Sequence, residues 1–232
     1  MKALLNHVAW DAKIQAQYQI PTVGLVLTGL YWILFRALPF EDIDGLVIVC
    51  VYSDPGALGM VFIGALLLFE KSERTLQAMS VSPVPPSRYL WSKALSLSLL
   101  GLVLSLALAW VGHGFQLQYL WFVVGILLTG LFFSFIGFVA VARVQSLNEY
   151  ILILVPFLIV TNLPILNFLG VTDTFWLYLI PSQGSFLLLE AAFGRSVSPW
   201  QLGYSILALA LATYGAYRWA LRAYYRHILT KL

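Results

Sequence analysis

Apolar runs long enough to cross a lipid bilayer recur along the chain, separated by short polar segments. A spanning helix needs about 20 mostly apolar residues. Five such runs lie at about residues 20–38, 94–112, 119–142, 150–168 and 201–221, and a sixth ends near Phe69. The pattern therefore predicts an all-α, polytopic membrane protein with six transmembrane helices.

The start of the second span can be placed in two ways. Residues 46–52 are apolar, but Ser53-Asp54-Pro55-Gly56 follows them. Asp is favoured just before a helix and Pro at its first position. We therefore predict a span that begins at Pro55, with residues 46–52 as a non-helical or half-inserted approach. The alternative is a kinked span from Leu46 to Phe69, which would place Asp54 inside the bilayer.

Two further segments do not have the pattern of a span. Residues 1–19 are repeatedly interrupted by polar side chains, and they predict an interfacial helix whose apolar side carries Leu5, Val8, Ala9, Ala12 and Ala16. Residues 169–199 hold two short apolar pieces, broken by Pro181, Gly184 and Gly194. These pieces predict two short outer re-entrant helices before the last span.

Composition narrows the class of protein. The chain has 232 residues, of which 61% are apolar and 10% charged, whereas a soluble domain has about 45–50% and about 25%. A soluble domain, a disordered chain, a coiled coil and a nucleic-acid-binding protein are excluded on these figures. We treat residues 1–232 as a single transmembrane domain, in which the lone Cys50 excludes an internal disulfide.

The distribution of positive charge predicts the orientation. With six spans and a cytoplasmic N-terminus, 11 of the 13 Lys and Arg residues fall on the cytoplasmic side, and only Arg36 and Arg195 fall outside. This split follows the positive-inside rule. It predicts a multi-pass protein of the cytoplasmic (inner) membrane with both termini in the cytoplasm.

The polar loop at residues 70–93 is longer and more charged than a helix bundle needs. Glu70 and Arg74 have the spacing that continues a helix out of the membrane. Pro83, Pro85 and Pro86 must end that helix. The loop is therefore predicted to form a rigid cytoplasmic turn between the second and third spans.

This loop, FEKSERTLQAMSVSPVPPSRYLWSK, resembles the corresponding loop of ABC-2 type transporter permeases. That family shows a Glu, neighbouring charges, a Thr-Leu pair, a Ser-Pro step and a Lys that opens the next helix. The matching residues here are Glu70, Lys71, Glu73, Arg74, Thr75, Leu76, Ser82, Pro83 and Lys93. The order of segments is also similar, and the SDPG before the second span is most like the fluoroquinolone-export-permease-like branch.

The resemblance implies a permease subunit that works with two cytoplasmic ABC ATPase subunits and with a second copy or a homologous permease. In such transporters the loop after the second span docks on the ATPase as a coupling helix. Closure of the ATPases on ATP then drives the movement of the spans. The resemblance assigns this coupling to Glu70, Glu73, Arg74, Thr75, Met79, Ser82, Pro83 and Arg88.

The chain has no phosphate-binding loop of its own. Such a loop needs Gly-x-x-x-x-Gly-Lys-Ser/Thr, and in the nearest string, from Gly64 to Ser72, Glu70 stands where Gly is required. We therefore expect no enzymatic activity and no cofactor in this chain, with ATP and Mg²⁺ bound by the partner ATPase. Three separated histidines and one cysteine also argue against a metal site.

In this family the second and fifth spans line the translocation path. The corresponding residues here are Phe62, Leu66, Phe69, Asn148, Tyr150, Phe157, Thr161 and Asn162. Such an apolar, aromatic path suits the export of an amphipathic, drug-like or lipid-like substrate. Two other functions remain open: a non-transporting membrane scaffold or immunity factor, and an ATP-independent carrier or channel.

Overall fold

A computed structural model describes residues 2–37, 43–73, 85–172 and 174–228, and all regular structure within these ranges is helical. A π-helical segment, Leu58–Phe62, joins α3 to α4, and a 3₁₀ turn, Phe175–Leu179, precedes α9. The α-helices are α1 (Lys2–Gln17), α2 (Ile20–Ala37), α3 (Ile43–Ala57), α4 (Ile63–Ser72), α5 (Pro86–Gly112), α6 (Tyr119–Ala142), α7 (Leu147–Asn162), α8 (Ile165–Phe168), α9 (Ser182–Ala192) and α10 (Pro199–His227).

Five helical runs among the described residues are long and apolar enough to cross a membrane: Ile20–Ala37, Ile43–Ser72, Pro86–Gly112, Tyr119–Ala142 and Leu147–Phe168. They fall on five of the six predicted spans. The sixth prediction, residues 201–221, falls within α10, whose 29 residues would extend about 44 Å. Because α10 is more polar than the other five, its crossing of the membrane remains a prediction.

The predicted start of the second span at Pro55 is wrong. Helix α3 begins at Ile43 and continues through the π-helical segment into α4, so residues 46–52 are helical and Asp54 lies within the helix. The Tyr52 ring packs 5.9 Å from the Phe133 ring of α6, and Gly56 lies against the same Phe133. This packing outweighs the local preference of Asp-Pro for a helix start.

Helix α6 lies at the centre of the bundle. In its most apolar stretch 78% of the residues are buried, against 17% in the corresponding stretches of α2 and of the α7–α8 run. It packs against α3, α5, α9 and α10. The exposed apolar faces of α2 and α7 are therefore left for lipid or for another chain.

Two short helices lie in the predicted re-entrant segment, residues 169–199. The first is the 3₁₀ turn Phe175–Leu179, and the second is α9, which is almost entirely buried and packs against α6 and α10. Gly194 follows α9 with a positive φ of 77°, a conformation that glycine adopts readily. Insertion of these helices from the outer side remains a prediction.

Helix α1 packs on the bundle through the face that carries Asp11, Ile14 and Gln15. Asp11 and Gln15 are buried, whereas Ala9, Ala12 and Ala16 of the predicted apolar side are exposed. The predicted apolar side is thus free to face lipid, whereas the buried Asp11 and Gln15 need partners inside the protein.

Polar contacts mark the two ends of the bundle. At one end, α1 contacts the end of α4 and the start of α5. At the other end, Asp44 near the start of α3 lies 2.7 Å from His113 just after α5, measured from Oδ1 to Nδ1. The Gln118 amide also donates to the Ala192 carbonyl there, at 2.9 Å. The loop that resembles a coupling loop belongs to the first of these ends.

Candidate functional site

A buried ion-pair cluster joins three helices beside the predicted coupling loop. Lys93 Nζ of α5 lies 2.5 Å from Glu70 Oε1 of α4 and 3.1 Å from Asp11 Oδ1 of α1. The lysine side chain is only 2% exposed. A buried ammonium is tolerated when carboxylates and hydrogen bonds surround it. Lys93 therefore holds α1, α4 and α5 in one arrangement.

The second oxygen of Glu70 extends this cluster to two more helices. Tyr89 donates its hydroxyl hydrogen to Glu70 Oε2 at 2.5 Å. The Tyr89 ring packs 5.7 Å from the Tyr224 ring of α10 and 6.1 Å from the Phe138 ring of α6. We call Asp11, Glu70, Tyr89 and Lys93 the polar cluster. A movement of Glu70 would act through this cluster on α1 and α5, and through the Tyr89 ring on α6 and α10.

Helix α1 makes further contacts on both sides of the polar cluster. Gln15 Nε2 donates to Ser96 Oγ at 2.7 Å, which attaches α1 to α5. The Tyr18 hydroxyl donates to Glu73 Oε1 at 3.2 Å, and its ring stacks on Phe69 with centroids 5.0 Å apart. The segments that enter and leave residues 74–84 are thus joined to α1 or to Tyr18, the residue that follows it.

Lys71 fastens the end of α4 to the end of α6. Its Nζ donates to the carbonyl oxygens of Val141 and Val144, each at 2.8 Å. Val141 lies in the last turn of α6 and Val144 just beyond it, and carbonyl oxygens at the end of a helix carry partial negative charge. The lysine stabilises these oxygens and joins the base of the loop to the central helix.

The predicted coupling residues divide into two sets. Glu70 belongs to the polar cluster, Glu73 bonds Tyr18, and Arg88 lies partly buried in the first turn of α5. The others lie outside the described residues: Arg74, Thr75, Met79, Ser82 and Pro83. The assignment of all eight to coupling stays a prediction.

The predicted path residues do not share one environment. Leu66 and Tyr150 are buried, and Tyr150 donates its hydroxyl hydrogen to the Met60 carbonyl of the π-helical segment. The carbonyl of Thr161 accepts hydrogen bonds from Tyr52 and Ser182, at 2.8 and 2.6 Å. Phe62, Phe157 and Asn162 are partly buried, while Phe69 and Asn148 are exposed.

Comparison with known proteins places the chain in a family. The model of the fluoroquinolones export permease protein family matches residues 2–232. Two curated relatives are called fluoroquinolones export permease protein, and they come from two strains of Mycobacterium tuberculosis, CDC 1551 / Oshkosh and H37Rv. Each is 30% identical over 209 residues, which cover 89% of this chain and 88% of the relative.

The chain belongs to the fluoroquinolones export permease protein family. The resemblance to ABC-2 type permeases is thereby confirmed, and the chain is a multi-pass membrane permease. The resemblance to ABC-2 type permeases implies that residues 70–93 couple the permease to an ATPase. The polar cluster of this fluoroquinolones export permease family member lies at the base of that loop. The family match covers α1 and α10 as well as the spans.

Three residues of the polar cluster were not among the predicted site residues of this permease. Lys93 was included in the family pattern of the loop, and Tyr89 lies in the same loop, but neither was assigned a role, and Asp11 belongs to a helix that was interpreted from its apolar side. One signal was available in α1, where Asp11 and Gln15 stand four residues apart and so share a helix face. Their partners lie 82 and 81 positions away, at Lys93 and Ser96, and no local pattern predicts such a pairing.

Proposed function

We propose that this chain is the membrane-spanning permease subunit of an ABC-2 type exporter. Its substrates would be amphipathic, drug-like compounds, with fluoroquinolones as the first class to test because both curated relatives are named for them. ATP and Mg²⁺ would be bound by two separate cytoplasmic ATPase subunits. The permease would contribute the path through the membrane and the surface on which the ATPases dock.

The polar cluster is the observation that carries this proposal. It joins α1, α4 and α5 through a lysine that is 2% exposed, directly beside the loop expected to dock on an ATPase. Salt-bridged, buried groups resist independent movement because separating them leaves an unpaired charge. A displacement of the loop would therefore move α4 and α5 together instead of only bending the loop.

The arrangement of the ends supports a cytoplasmic location for both termini. Asp11 of α1 and Tyr224 of α10 both lie at the end that holds Lys93 and Glu70. A chain whose two terminal helices meet at one end crosses the membrane an even number of times. This supports six spans with α10 as the sixth, in the orientation that the positive-inside rule predicts.

The outer helices support pairing with a second permease. The most apolar stretches of α2 and of the α7–α8 run are each only 17% buried. They carry exposed leucine, isoleucine, valine and tryptophan side chains. A second copy could cover part of these faces, and lipid the rest. A path for the substrate would then lie between the two copies, beside the second and fifth spans.

Transport in inside-out membrane vesicles tests the proposal. The tagged chain is purified in mild detergent from its native host, and the co-purifying proteins are identified by mass spectrometry. We expect a stoichiometric soluble ATPase. Vesicles that contain both proteins should take up a fluorescent fluoroquinolone when ATP is added. Omission of ATP, or addition of vanadate, should abolish the uptake.

A matched pair of arginine variants locates the docking surface. Arg88→Ala alters a predicted coupling residue, whereas Arg222→Ala alters an exposed arginine of α10. We expect Arg88→Ala to lose ATPase binding and ATP-driven uptake, with normal expression, and Arg222→Ala to keep both. Uptake without ATP would indicate a carrier or channel instead. A chain with neither uptake nor an ATPase partner would be a scaffold or immunity factor.

A further inference from the structure

Asp54 is an ionisable residue in the interior of a helix that can span the membrane. It follows Ile43, the first residue of α3, by eleven positions. At 1.5 Å per residue it therefore lies about 16 Å along a helical run about 45 Å long. The hydrocarbon core of a bilayer is about 30 Å thick. The Asp54 carboxyl thus lies at a depth where charged side chains are rare and usually functional.

Nothing in the described part of the chain neutralises this carboxyl. None of the hydrogen bonds and ion pairs found there involves Asp54, although its side chain is partly buried. The groups with which it interacts electrostatically include the Tyr31 hydroxyl of α2 and the Cys50 thiol one turn earlier. Neither group carries a positive charge, so the fold itself does not account for an acidic residue here.

The position of Asp54 on the helix indicates what it faces. Tyr52 and Gly56, two positions to either side, both pack against Phe133 of the central helix α6. Residues two positions apart differ by about 200° around an α-helix. Asp54 therefore points away from α6, toward the side where Tyr31 of the thinly packed α2 lies. A carboxylate there would be costly against lipid, so this side must meet water, a ligand or another protein.

We propose that Asp54 binds the protonated amine of the transported compound. This inference rests on the proposed function, and it adds the chemistry by which a substrate is recognised. A cationic amine supplies the positively charged partner that the described residues do not provide for Asp54. The attraction between the amine and the carboxylate is strong where water is scarce. The π-helical segment Leu58–Phe62 begins four residues later. Such segments are frequent at functional sites, and this one offers a place where the helix can adjust around a bound compound.

Two quinolones that differ in one group provide the direct test. One is a fluoroquinolone with a basic ring amine, and the other is a quinolone acid without any basic amine. Uptake of each is measured in ATP-driven vesicles with wild-type chain, Asp54→Asn, Asp54→Glu and the matched control Glu149→Gln, an exposed carboxylate at the start of α7. Asparagine keeps the size of the side chain but removes the charge.

We expect Asp54→Asn to raise the half-saturating concentration of the amine-bearing compound about tenfold or more. The amine-free acid should be transported as before, Asp54→Glu should retain most of the preference, and Glu149→Gln should behave as wild type. Equal losses for both compounds would overturn the proposal, because they would indicate a role in structure or coupling. Unchanged transport of both compounds in Asp54→Asn would overturn it as well.

Binding to the purified chain separates this proposal from the proposed function. Quenching of the fluorescence of the amine-bearing quinolone is titrated with the full chain in lipid nanodiscs, without ATP or ATPase. If the wild type transports neither compound, the proposed function fails, yet weaker binding to Asp54→Asn would still support the assignment of Asp54. Equal binding to wild type and Asp54→Asn would overturn the assignment whatever the transport result.

Discussion

The helical run Ile43–Ser72 carries two acidic residues in opposite situations. Near its end, Glu70 has both oxygens engaged, one by Lys93 and the other by Tyr89. In its interior, Asp54 has no hydrogen bond or ion pair with any described residue. Both side chains are partly buried, so the difference lies in their partners. A buried carboxylate whose partners are supplied by the fold contributes to structure, whereas one without partners is available to a ligand.

Removal of Lys93 takes away the cation that pairs with Glu70, and it should have the largest effect on the stability of the protein. Lys93→Met leaves the carboxylates of Asp11 and Glu70 close together without their shared cation. Breaking a buried ion pair from one side costs about 3–5 kcal/mol. We expect a large fall in the midpoint of thermal unfolding. The unfolding is monitored by tryptophan fluorescence of the protein in detergent.

The control for this experiment is Lys13→Met, which removes an exposed lysine of α1. It should leave the midpoint nearly unchanged. A triple variant, Lys93→Met with Asp11→Asn and Glu70→Gln, should recover part of the lost stability because no unpaired charge remains. Equal midpoints for Lys93→Met and Lys13→Met would show that the polar cluster does not hold the helices together.

Neutralising each carboxylate in turn compares the two sites directly. Glu70→Gln weakens hydrogen bonds to a charged group, so we expect a loss of about 1.5–3 kcal/mol in the free energy of unfolding. Asp54→Asn removes a charge that has no partner, so stability should stay constant or rise. Both are measured by the same thermal scan without substrate. A larger loss for Asp54→Asn than for Glu70→Gln would reverse the comparison.

Local sequence pattern was sufficient where a helix is apolar on all sides. The predicted span 119–142 matches α6, Tyr119–Ala142, because a central helix is surrounded by apolar neighbours throughout its length. The same pattern was misleading around Asp54. There Asp-Pro-Gly has the composition of a helix start, but the helix continues because Tyr52 and Gly56 pack against α6 on either side of Asp54. That contact joins residues far apart in the chain.

The polar cluster was only partly predictable for the same reason. Glu70 could be proposed because the loop around it has a recognisable family pattern. Asp11 and Lys93 pair across 82 positions. Asp11 alone has the appearance of an ordinary charge near a membrane surface, and the family pattern includes Lys93 without indicating its partners. The apolar side of α1 could be predicted from residue spacing, but which side packs on the protein depends on that distant lysine. A helix face can be predicted from sequence more readily than its partner.

Two tyrosine variants test how much a neighbouring hydroxyl contributes to stability at Glu70 and at Asp54. Tyr89→Phe removes the hydroxyl that donates to Glu70, and we expect a loss of about 1–2 kcal/mol because a bond to a charged acceptor disappears. Tyr31→Phe removes the hydroxyl that interacts with Asp54 but breaks no hydrogen bond found among the described residues. It should leave the unfolding midpoint unchanged. If Tyr31→Phe were the more destabilising variant, Asp54 would have a structural partner in Tyr31.

Glu190 is intermediate between Glu70 and Asp54, because its charge is only partly compensated. Its neutralisation should have the smallest effect on stability. It lies in α9, outside the spanning runs, where burial raises the pKa of its carboxyl and the charge of Arg195 offsets part of that rise. A folded-state pKa above the unfolded value means that folding favours the protonated form. Stability is then greatest below the unfolded pKa, and it declines as the pH rises through the folded pKa.

We expect Glu190→Gln to be slightly more stable than wild type at neutral pH, with midpoints of thermal unfolding that change less between acidic and neutral pH. The exposed Glu149→Gln should keep the wild-type pH dependence. A Glu190→Gln protein that was less stable than wild type at neutral pH would mean that Arg195 compensates fully, and that Glu190 belongs with Glu70 among the satisfied carboxylates.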